Sequence, residues 1–146
     1  MKRPASLLSG VGVTAWALVV QAAAPAGRYT VASGTVYDTK TKLTWQQVVS
    51  GSYTQSAGAA YCAALSLNGT GWRLPTFKEL LTIVDFSVAS PGPTIDANAF
   101  PNTPSSAFWS STAEAGGSGY YFIFEFGFAE GTADVSSSTY PVRCVR

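Results

Sequence analysis

The sequence predicts an α+β fold: one small exported domain closed by one disulfide. Three observations predict it. Two stretches with helical apolar spacing, at 57–65 and 77–84, are flanked on both sides by strand-like runs. The last third alternates aromatics at period two, with Tyr120, Phe122, Phe124, Phe126 and Phe128 on one face and Tyr121 and Ile123 on the other. Two cysteines, Cys62 and Cys144, fall one in each of these regions.

The chain opens as a secretory signal peptide. Lys2 and Arg3 give a positive start, and residues 7–20 form an uncharged apolar run followed by small residues. The expected signal peptide is 1–22, with cleavage as late as Ala26. The run falls short of the ~20 apolar residues of a spanning helix, which is the argument against a retained membrane anchor. The remaining stretch is roughly 120 residues, one core's worth.

Along residues 28–146, a first strand at 28–33 precedes strands at 35–38 and 43–46. The turn between the latter two starts at Asp38, whose side chain can bond its own backbone. Thr54 or Ser56 caps a first helix whose core stripe is Ala57, Ala60, Tyr61, Ala64 and Leu65, and Asn68-Gly69 ends it. The run Gly71-Trp72-Arg73-Leu74-Pro75-Thr76 leads into the second helix. Pro75 blocks backward extension, and Thr76 and Glu79 have capping-box spacing. Phe77, Leu80, Leu81 and Val84 make that helix's buried stripe. Four prolines at 89–104 predict a long irregular loop pinned by Ile95 and Phe100. Further strands lie at 108–112, 120–128 and 140–146, with Glu130-Gly131 turning the chain back.

Charge excludes some functions. The chain has nine Lys plus Arg, eight Asp plus Glu and no His; without Lys2 and Arg3 the balance is seven against eight. A near-neutral domain does not bind nucleic acid through bulk charge. In an exported chain an even cysteine pair reads as a disulfide, the alternative being a thiol or metal-ligand pair. No cofactor or metal is expected. An enzyme reading rests on carboxylates alone (Glu79, Asp85, Asp96, Glu114, Glu125, Glu130, Asp134), and no spacing among them marks a glycosidase pair.

Five motifs now stand in order: Asp38 with Leu43-Thr44-Trp45; Tyr61-Cys62-Ala63-Ala64-Leu65; the Trp72-to-Leu80 junction; Phe108-Trp109-Ser110-Ser111-Thr112; and Val142-Arg143-Cys144-Val145-Arg146. Over residues 35–146 this order resembles the C-terminal domain family of Legionella collagen-like protein. The Trp-Arg-Leu-Pro-Thr element also resembles one in the formylglycine-generating-enzyme and C-type-lectin-like superfamily. The resemblance implies a compact C-type-lectin-like domain, two helices on a curved antiparallel sheet, with the first helix tied by Cys62–Cys144 to the last strand. It implies export to the periplasm or cell surface, and a relative there is an adhesin that binds sulfated glycosaminoglycans. Collagen-like repeats, calcium-lectin motifs and a spare cysteine are all missing from this sequence.

The expected function is therefore non-catalytic binding of a glycan or envelope component; the alternatives are a protein–protein interaction module and a carboxylate hydrolase. Membrane contact is expected only during export. Trp72, Arg73, Leu74, Pro75, Thr76 and Glu79 are expected to be structural. Trp109 and Tyr121 are candidates for stacking on a sugar. Lys40, Lys42, Arg143 and Arg146 are candidates for a small anion-binding patch.

Overall fold

A computed structural model describes residues 24–146; the expected signal peptide, 1–22, lies outside the described residues. Strands β1 (Tyr29–Ala32), β2 (Thr35–Asp38) and β3 (Thr44–Gln46) form an antiparallel sheet in that order. Asp38 starts the β2–β3 turn as its type predicts: its Oδ1 accepts the Lys40 N–H at 2.9 Å. The same buried carboxylate pairs with Arg28 at 3.0 Å, and Arg28 also donates to the Thr82 carbonyl. Burial pulls the Asp38 pKa upward, but the Arg28 and Lys40 hydrogen bonds outweigh it, and the net shift is down.

A two-residue strand, β4 (Ser52–Tyr53), leads into helix α1 (Gln55–Ala64). Its buried face is Gln55, Gly58 and Cys62; Ala57, Ala60 and Ala64 are exposed, so the predicted stripe is rotated. Alanine is nearly indifferent to burial, and what orients the helix is Gly58. A Cβ there would lie 2.6 Å from Val142 Cγ1, so the missing side chain lets the helix seat on the C-terminal segment. Thr54 occupies the N-cap position without a side-chain cap bond.

Helix α2 (Phe77–Thr82) is shorter than expected, with Leu80 buried and Leu81 exposed. Ile83 and Val84, just past its end, take the core positions. The proline-rich loop is irregular as predicted, and Ile95 and Phe100, each 1% exposed, pin it.

Strands β5 (Ala107–Ala113), β6 (Tyr120–Glu125) and β7 (Glu130–Val135) form a second antiparallel sheet. The aromatic run does not continue as a strand to 128. It ends at Glu125, whose Oε1 accepts the Gly127 N–H at 2.9 Å; Phe126 turns inward and Phe128 stays 60% exposed. Glu130-Gly131 opens β7 instead of a bare turn, and Phe77 of α2 packs against Gly131, where a Cβ would run into its ring.

β8 (Tyr140–Pro141) pairs with β4, giving a third, two-stranded sheet. Beyond Pro141 the chain is not a regular strand. Val145 bridges Trp45 on one side and Arg73 on the other, so the C-terminal segment is clamped between β3 and the Trp-Arg-Leu-Pro junction. Among the described residues the fold is thus α+β with two helices and antiparallel pairing, its strands divided among three small sheets. Two cores result. One surrounds Trp45, Leu80, Phe100, Phe108 and Phe124; the other surrounds the Cys62–Cys144 disulfide with Trp72, Trp109 and Val142.

Candidate functional site

The Trp72-to-Glu79 junction is held by its own hydrogen bonds and burial. The Thr76 hydroxyl accepts the Glu79 N–H at 3.2 Å, and Glu79 Oε2 accepts the Thr76 N–H at 2.7 Å, a complete capping box. Arg73 closes a two-pronged pair with the same carboxylate at 2.8 and 2.6 Å. That guanidinium, with the cap bonds, holds the Glu79 pKa down at about 2. Trp72 is buried, its Nε1 donating to the Leu67 carbonyl at 3.0 Å, and the Arg146 guanidinium lies 4.9 Å over its ring. Leu74 and Pro75 are buried. Cys62 and Cys144 form the expected disulfide, with Cα atoms 5.4 Å apart.

The predicted ligand residues are redistributed by the tertiary structure. Trp109 is 0% exposed and offers a sugar no face; its Nε1 donates to the Tyr53 carbonyl at 2.9 Å and its ring packs edge-on to Tyr140 at 5.1 Å. Tyr121 is half-buried against the disulfide core. Arg143 is also 0% exposed, so it belongs to no surface anion patch with Lys40, Lys42 and Arg146. Lys40 and Lys42 are exposed at the β2–β3 turn, and Arg146 is committed to Trp72.

Arg143 instead holds segments together. Its Nη1 donates to the carbonyls of Gln46 at 2.8 Å and Gln47 at 2.5 Å, and its Nη2 donates to Thr103 Oγ1 at 2.7 Å. The Phe100 ring lies 4.8 Å below the guanidinium. No carboxylate meets it, and its Nε has no partner among the described residues. Desolvation lowers its pKa to about 9, which still leaves it charged at neutral pH.

The segments Arg143 fastens enclose an open groove of about 510 Å³. Val49, Gly51 and Ser52 come from the stretch after Gln47; Asn102, Pro104 and Ser106 come from the loop around Thr103; Thr139, Tyr140 and Pro141 come from β8 and its approach. The groove is about twice the volume of the two clefts beside Tyr29, at about 220 and 250 Å³. Its size falls within the ~300–1,000 Å³ of small-ligand clefts. Asn102 sits at φ 57°, a left-handed conformation that asparagine tolerates. The Tyr140 hydroxyl donates to Asp134 Oδ2 at 2.6 Å, a bond that lowers the Asp134 pKa and raises that of Tyr140. Trp109 and Arg143, expected from sequence to be ligand residues, therefore support this groove from beneath. Tyr140 and Asn102, which line it, carried no sequence signal beyond their loop and strand positions.

Most carboxylates of the hydrolase reading have structural partners. Glu79 serves Arg73 and the cap, and Asp96 accepts the N–H groups of Asn98 at 2.8 Å and Ala99 at 3.0 Å, with Ala24 N–H on its other oxygen at 2.7 Å. Asp85 accepts from Ser87, and Glu125 from Gly127. Among the described residues no group of three or more His, Cys, Asp or Glu is placed to hold a metal ion.

A search among curated proteins finds no match to this chain. The family model described as the Lcl C-terminal domain matches residues 34–146, the span that holds both cores, the disulfide and the groove. The chain therefore belongs to the Lcl C-terminal domain family.

Proposed function

We propose that this domain is an exported, non-catalytic binding module whose groove around Tyr140 takes a glycan or another component of the cell envelope. The observation that carries the reading is the groove itself. It combines an aromatic ring, an amide and several hydroxyls on segments anchored by Arg143 and Trp109. Sugar recognition needs that mixture: hydroxyl-matching donors and acceptors beside an apolar face. Export through the leader at 1–22 and a kinship with C-type-lectin-like folds are part of the same reading. The disulfide from α1 to the C-terminal segment supports the kinship. The engagement of Glu79, Asp85, Asp96 and Glu125 in turns and caps supports a non-catalytic role.

A glycan-array screen of the oxidised domain, with and without chelator, tests this. Saturable binding that resists chelator and is weakened in Asn102→Gly is the expected result. Binding abolished by chelator overturns the metal-free mechanism, and silence across the array overturns the glycan.

A second reading, a protein-binding surface, is favoured by Phe86 and Phe128, which are 72% and 60% exposed. They flank segments laced together by Gly92 N–H to Gly127 O and Thr94 N–H to Phe126 O, both at 2.8 Å. Exposed aromatics of this size are a feature of contact surfaces. Sedimentation of the wild type against Phe86→Ser/Phe128→Ser tests it, with self-association lost in the variant as the supporting outcome.

A further inference from the structure

We propose that the ligand of the Tyr140 groove is an uncharged saccharide, not an acidic or sulfated one; this inference rests on the glycan reading above. The argument is the charge inventory of the groove. None of the nine lining residues carries a formal charge at neutral pH. What they present is hydroxyl from Ser52, Ser106, Thr139 and Tyr140, amide from Asn102, and the ring faces of Tyr140 and the prolines.

The cation nearest in sequence to the β8 wall of the groove is already engaged. Arg143 stands two residues beyond Pro141, yet it is 0% exposed, and both of its terminal nitrogens are committed to Gln46 O, Gln47 O and Thr103 Oγ1. Turning it outward would strand three acceptors and open the core over Phe100. The charged side chain that does bond a groove residue is acidic: Asp134, through the Tyr140 hydroxyl at 2.6 Å. Asp134 does not itself line the groove, but its negative charge stands directly behind the Tyr140 hydroxyl.

A sulfate or uronate entering this groove gives up hydration, finds no cation and approaches Asp134. Each of those terms is unfavourable. A neutral sugar exchanges hydroxyl–water bonds for hydroxyl–protein bonds and lays its apolar face on the ring, with no charge to desolvate. No Lys or Arg lines the groove, and Arg28 and Arg73 are paired with Asp38 and Glu79. Lys40 and Lys42 sit on the β2–β3 turn, and Arg146 lies over Trp72.

The test is calorimetric titration of the oxidised mature domain with four hexasaccharides: one of glucose, one of N-acetylglucosamine, one of galacturonate and one heparin-type sulfated. The expected result is saturable binding of a neutral hexamer, with an affinity that changes less than about 2-fold between about 20 mM and 500 mM salt. Asn102→Gly, which suits the left-handed backbone and deletes the amide, should weaken that binding by roughly 5-fold with an unchanged near-ultraviolet spectrum. Ser106→Leu, which fills the groove, should weaken it as well. Binding of the galacturonate or sulfated hexamer alone, falling steeply with salt, overturns the neutral class while leaving the glycan reading in place. Neutral binding untouched by both variants overturns the groove as its site. No heat from any of the four removes the glycan reading and this inference with it.

Discussion

Arg143 Nη2 and Thr103 Oγ1 meet at 2.7 Å in the interior, joining the C-terminal segment to the proline-rich loop 40 residues earlier. A guanidinium without a carboxylate is unusual in a core. Here the charge is dispersed over two carbonyls, one hydroxyl and the faces of Phe100 and Phe108. Thr103→Val removes the acceptor and leaves a buried charged donor unpaired. It should cost about 1–3 kcal/mol in urea denaturation. Thr103→Ser keeps the oxygen and should recover most of it; an unchanged midpoint in Thr103→Val would show that the hydroxyl does not hold Arg143.

The Arg73–Glu79 pair sets an acid limit. Glu79 has its pKa held at about 2 against an ordinary 4.5. The sign comes from linkage: a depressed carboxylate contributes stability that is full above 4.5 and is lost as the pH falls toward 2. Because the Arg73 side chain is 48% exposed, screening reduces the contribution to about 1 kcal/mol. Thermal melts from pH 6 to pH 2 should show this loss in the wild type. In Glu79→Gln the part due to this group should be missing, and parallel curves for the two proteins would refute the assignment.

The disulfide spans 82 positions and joins α1 to the C-terminal segment. The loop-entropy model gives ~4 kcal/mol for a closure of this length. Cys62→Ser/Cys144→Ser should therefore melt roughly 10–20 °C below the wild type. A drop of only a degree or two would mean that the packing of Trp72, Trp109 and Val142 holds the two segments without it.

Gly58 pits helix propensity against packing. Alanine is favoured over glycine by about 1 kcal/mol in a helix interior. A methyl group at position 58, however, lands 2.6 Å from Val142 Cγ1, and overpacking costs about 1–3 kcal/mol. Packing should win, so Gly58→Ala should be destabilising. Adding Val142→Ala to it should recover stability relative to the sum of the single changes, the non-additivity expected of residues in contact. Additive effects would show that the helix shifts to make room.

Residues alone disclosed what neighbours in the chain decide. Thr76 and Glu79 spell a cap because the two partners are three residues apart, and both cap bonds form. Asp38 announces its turn because its carboxylate reaches its own backbone. The cysteine pair, in this composition, meant a disulfide, and the order of five motifs pointed to the family.

The sites of chemistry depended on distant partners. Trp109 read as a sugar platform, yet it is buried, because Tyr53, 56 residues earlier, supplies the acceptor for its Nε1. Arg143 read as a surface cation, yet it is buried, because carbonyls 96 and 97 positions away satisfy it. The alanine stripe of α1 did not reveal which face Gly58 would turn inward. The groove exists only where three segments separated by tens of residues converge. Caps, turns, the covalent link and the family were legible along the chain, since each rests on local spacing or residue type. Which side chains meet water and which line the groove emerged only on folding, because burial and hydrogen-bond satisfaction are settled between residues far apart in the chain.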